Sequence, residues 1–193
     1  CAGTFRDAQR ELMDGGAAVE LAGDALLAEA QAMDFFAANI EIRTPRCVAG
    51  VAIKNAGRAI ADAGAKFRHK GGLELAAYAV DEASVYFSEA ECAKALRRVE
   101  APGADSAADG AVAAAAALSR AGKGLYDMSP EATGAGLIEA SAACEALAEL
   151  FEAVGPLAAA APQLRTGADR LAAGGRVLAE PSEPVKKKTP RRW

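Results

Sequence analysis

The residues able to do chemistry are few and scattered. His69 is the single histidine of the chain. It falls at the end of a predicted helix beside Lys70, where an imidazole commonly meets the last carbonyls and the helix dipole. Without a second histidine, the carboxylate–histidine pairs of di-iron bundles cannot be assembled. The sequence holds no G-x-x-x-x-G-K-[ST], G-x-S-x-G, H-E-x-x-H or dinucleotide fingerprint. The acidic residues Asp81, Glu82, Glu89 and Glu91 sit opposite a predicted core stripe and read as a solvated face rather than a metal site. Nothing converges toward acid–base or nucleophilic catalysis, so the sequence predicts a non-catalytic protein that needs no cofactor and no metal.

Four cysteines remain: Cys1, Cys47, Cys92 and Cys144. None lies in a C-x-x-C pair, which argues against a zinc ribbon or a thioredoxin-type site. A hairpin of two long helices centred near Lys70–Gly71 would bring Cys47 and Cys92 to one end, so a disulfide between them is expected. That bridge would place the protein in an oxidising compartment: an organelle lumen, an intermembrane space or the extracellular medium. The alternative is two free thiols acting as small core hydrophobes. Cys144 lies in a core series and reads as a buried thiol. Cys1 could pair with Cys144, or be the lipidated first residue of a processed chain.

The elements that would position these residues are helices. Apolar residues make up 52% of the 193, but aromatics only 5%. Alanine is the best helix former and buries little area per side chain, so stability must come from many close backbone contacts. Six segments emerge between breakers. The first runs from about Thr4 to Ile40, and Gly15-Gly16 need not end it. The second runs from Arg46 to His69, with Ile53, Gly57, Ile60, Gly64 and Phe67 at heptad spacing. The third is expected unbroken from Leu73 to about Glu100. The fourth runs from Ser106 to Tyr126. The fifth starts at Ser129-Pro130, a cap and first-turn proline. The sixth carries Leu157, Ala161, Leu164, Ala168 and Leu171, with Pro162 delaying its start. The predicted fold is all-α: an up-and-down antiparallel bundle of about four to six alanine-rich helices spanning residues 1–180. Ala22-Gly23-Asp24-Ala25-Leu26 resembles Ala56-Gly57-Arg58-Ala59-Ile60, and this reads as convergent heptad composition rather than a repeat.

Residues 181–193 form a second unit, an extended basic tail. Lys186, Lys187, Lys188, Arg191 and Arg192 stand there against Glu183, a surplus of four, so residues 1–180 carry −8 within a chain of net charge −4. The acidic body argues against nucleic-acid binding. The basic side chains of the tail and the terminal Trp193 are candidate contacts for a partner protein or an anionic membrane surface. No apolar run reaches the roughly 18–20 residues of a membrane span. The function expected from these features is a structural or accessory subunit that docks on the other proteins of a larger, membrane-associated or free assembly. Two alternatives are an exported, surface-displayed binding bundle and a carrier of a small molecule or pigment. An aromatic-lined pocket near Phe67, Tyr78 or Phe87 would favour the carrier.

Overall fold

The computed structural model describes residues 2–33, 44–69 and 71–180. Cys1 and the whole basic tail, with its candidate contact residues, lie outside them. The described residues form an all-α bundle with no strand: α1 (Ala2–Met33), α2 (Pro45–Lys66), α3 (Gly72–Phe87), α4 (Cys92–Leu96), α5 (Ala104–Tyr126), α6 (Pro130–Ala153), a 3-10 segment (Gly155–Ala160) and α7 (Ala161–Ala179). α1 is continuous through Gly15-Gly16.

Local chemistry sets the boundaries. Thr44 caps α2 by accepting from the Cys47 amide, with Pro45 in the first turn. Ser129 does the same for α6, accepting from Ala132 ahead of Pro130. Both caps satisfy amides that the helix leaves unpaired. Gly71 (φ 75°) and Gly103 (φ 88°) make the reversals before α3 and α5 in left-handed backbone, which costs glycine no steric penalty. The six-residue 3-10 segment precedes α7, and Pro162 sits in the first turn of α7.

The third helix departs from expectation. It stops at Phe87, and Ser88 is extended. The Ser88 hydroxyl donates to the Val85 carbonyl and accepts from the Ala90 amide. A serine offering the backbone local partners of this kind competes with continued helix. Cys92 therefore sits on the separate short α4. The long-hairpin register that paired it with Cys47 is broken, and Cys47, Cys92 and Cys144 are all free thiols. The expected Cys47–Cys92 disulfide is not formed. The argument for an oxidising compartment that rested on it loses its basis.

The packing order closes on itself. α1 packs on α2, α2 on α3, α3 on α5, α5 on α6, α6 on α7 and α7 on α1. Contacts run antiparallel at α1/α2, where Glu20 meets Arg58 and Gln9 meets Arg68. They do so again at α6/α7, where Gly134 abuts Gly175 and Glu145 meets Arg165. Small residues let these backbones approach closely. A β-carbon added at Gly57 would fall 2.6 Å from the Gly16 carbonyl oxygen, and one at Gly23 would fall 2.5 Å from that of Gly50. Gly16 and Gly23 on α1 are seven residues apart, as are Gly50, Gly57 and Gly64 on α2. The two similar pentapeptides thus belong to facing surfaces of one seam. The residue after each glycine closes an ion pair across it: Asp24 with Lys54 at 2.6 Å and Arg58 with Glu20 at 2.7 Å. Phe5, Leu12, Ile53, Ile60, Phe87, Leu118, Leu147 and Phe151 fill the interior among alanines.

Candidate functional site

Two features stand apart from the bundle's packing. The first is the outer face of α3. Its inner face is a stripe of Ala76, Val80, Ala83 and Phe87, all buried. Leu75, Tyr78 and Val85 recur on the opposite side at spacings of three and seven, which is again one helix face. These large apolar side chains are 53%, 62% and 50% exposed. Glu82 lies in the middle of this stripe at helical spacing. The Tyr86 hydroxyl donates to Glu82 Oε1 at 3.1 Å, and that hydrogen bond holds the phenol above its ordinary pKa. Glu74 and Asp81 flank the stripe and are exposed. Scattered exposed apolar residues are ordinary; a run along one face is the informative case.

The second feature is a cavity of about 830 Å³ at the end of the bundle where α1 and α3 begin and α2 and α5 end. Phe5 and Phe67 form its floor in an edge-to-face pair, ring centroids 5.4 Å apart. Leu73, Leu125, Tyr126 and Met128 continue the apolar wall, and Arg6, Arg68, His69 and Glu74 stand among the lining residues. His69, the single histidine, is thus exposed on this cavity. Of the three aromatics named for a carrier pocket, Phe67 lines the cavity, Phe87 is in the core and Tyr78 is on the α3 face.

Several other titratable groups are tied into the scaffold. Burial pushes the Cys92 and Cys144 thiols up to about 12, with the Glu145 charge adding at Cys144. Arg97 hydrogen-bonds Glu89 at 2.6 Å and Asp109 at 2.7 Å, which raises its pKa further. Arg165 binds Glu145 and Glu152 together, and its hydrogen bond lowers the Glu152 carboxyl. Asp81, Glu82, Glu89 and Glu91 are exposed as expected. Among the described residues, no group of three or more His, Cys, Asp or Glu is arranged to hold a metal ion, and no helix is long and apolar enough to cross a membrane.

Sequence reading missed the α3 face, and of the cavity it named only Phe67 as a pocket residue. The first was detectable: Leu75, Tyr78 and Val85 share a face that the alanine stripe does not occupy. The second was not, because Phe5 and Phe67 are far apart in sequence and each fits a core stripe.

Fold and site together define a class: an all-α bundle with a small-residue seam, one doubly apolar helix and one end cavity. No family model, characterised protein or solved structure matches the chain.

Proposed function

We propose that this protein is a non-catalytic accessory subunit that docks on another protein through the outer face of α3. One observation carries the reading: Leu75, Tyr78 and Val85 line the solvent side of a helix whose other side is already buried in the bundle. Helix-in-groove or helix-on-helix recognition uses anchors at such spacings. The partner that fits is an amphipathic helix with an apolar stripe and basic flanks, because Glu74, Asp81 and Glu82 edge and interrupt the face. The surface-displayed alternative drew in part on a disulfide between Cys47 and Cys92, which are free thiols.

The test is purification from the native source under mild conditions, comparing the wild type with a Leu75→Ser/Tyr78→Ser/Val85→Ser variant. A stoichiometric partner is expected with the wild type and not with the variant. The variant should stay folded with a thermal midpoint lowered by no more than a few degrees, since exposed substitutions usually change stability by no more than ~0.5 kcal/mol each. A wild type that purifies alone, or a variant that keeps the same partner, contradicts the proposal.

A further inference from the structure

We infer that the end cavity binds a single-chain amphiphile with a carboxylate head. This goes beyond the docking role and stands without it, since the cavity involves neither Tyr78 nor Val85.

The cavity's size lies within the roughly 300–1,000 Å³ of small-molecule sites. Its floor is apolar and closed. Phe5, Phe67 and Leu125 are each no more than 5% exposed, so the apolar surface left for a ligand to cover is mainly that of Tyr126 and Met128, 64% and 67% exposed. An alkyl or aryl body entering there gains hydrophobic burial. The polar residues at its edge set the sign of the head group. Among the lining residues Arg6 and Arg68 stand against a single carboxylate, Glu74, a surplus of positive charge. That surplus is local, on a body whose net charge is strongly negative. Arg68 is held in place by donating from Nε to Gln9 Oε1 at 2.8 Å, which leaves its two terminal nitrogens for a ligand. Arg6 has no ion pair among the described residues, whereas Arg10, one turn later on α1, pairs with Asp14. α3 adds to the attraction: its first turn opens at the cavity through Gly72, Leu73 and Glu74 with no side-chain cap, and although the Gly72 amide donates to the His69 carbonyl, the amides after it and the dipole favour an anion there. Two guanidiniums set against one carboxylate leave a small surplus, which suits a monoanion better than a dianionic phosphate, and the planar guanidinium fork fits a carboxylate bidentately.

The experiment is calorimetric titration of the full chain with sodium dodecanoate below its micelle-forming concentration. Dodecanol and dodecyltrimethylammonium are the comparison probes. Saturable binding of one dodecanoate per chain is expected, with binding of the alcohol and the cation at least tenfold weaker. Arg6→Glu should weaken dodecanoate binding at least tenfold. Arg10→Glu, the same charge change one turn away and outside the cavity, should leave it within twofold. Met128→Asp, at an exposed cavity position, should weaken it as Arg6→Glu does. Absence of saturable binding, equal binding of the three probes, or equal effects of Arg6→Glu and Arg10→Glu would overturn the inference.

Discussion

Gly57 shows how packing overrides propensity at a single residue. Alanine is the better helix former by ~1 kcal/mol, so Gly57→Ala looks stabilising from the sequence. The added methyl would meet the α1 backbone at Gly16 and Glu20, and backbone cannot yield as a flexible side chain would. Overpacking of this kind costs about 1–3 kcal/mol. Gly57→Ala should therefore lower the urea midpoint. Gly155→Ala, where nothing lies within 4 Å, should leave it unchanged or raise it slightly. A stabilised Gly57→Ala would refute the close seam. The glycine heptads were legible as spacing, but that they face each other across one seam was not. The cysteines give a second prediction at this scale. Burial raises Cys92 and Cys144 to about 12, so at pH 8 both are thiols and should react with a thiol reagent more slowly than half-buried Cys47. The linkage sign follows. Each folded-state value lies above the ordinary 9, so their contribution is intact below pH 9 and falls between pH 9 and 12. The limiting slope is about 1.4 kcal/mol per pH unit for each thiol. Replacing both by alanine should flatten the loss of urea stability above pH 9; an unchanged slope would rule the thiols out as its cause.

Among the elements, α6 was the most readable. Ser129 and Pro130 announce its start, and the structure places the serine oxygen on the Ala132 amide at 3.2 Å. Ser129→Ala should cost ~1 kcal/mol, read as a fall in thermal midpoint, whereas Ser129→Asp should retain most of it. Equal losses would mean that the cap contributes little. α3 was the least readable. Its alanine-rich continuation past Phe87 looks helical residue by residue, and a single serine with local hydrogen-bonding choices ended it. That break displaced Cys92, and with it the disulfide. The same helix carries two apolar faces, and periodicity alone does not say which one the bundle takes. Burial decides that the smaller side chains, Ala76, Val80 and Ala83, go inside. An inner face that is small except for Phe87 at its end lets α3 lie close to α2 and α5, which leaves Leu75, Tyr78 and Val85 outside.

For the whole molecule, composition fixed the class and chain order fixed most of the packing. Short connections join helices that then lie side by side, and α7 returns to α1 to close the circuit. The closure was not legible, because it joins the two ends of the described chain through Gly167 against Val19 and Gly174 against Leu12. A bundle held by backbone proximity rather than bulky anchors has little spare apolar surface. The side chains it leaves exposed along α3 are therefore the clearest sign of what it meets. The most direct test is site-specific photo-crosslinking in the native source, with the photoreactive residue at position 78 on α3 or at exposed position 149 on α6. The account predicts a discrete crosslinked protein at position 78, abolished by Leu75→Ser/Val85→Ser and absent at position 149. No crosslink at position 78, or the same products at both positions, would contradict it.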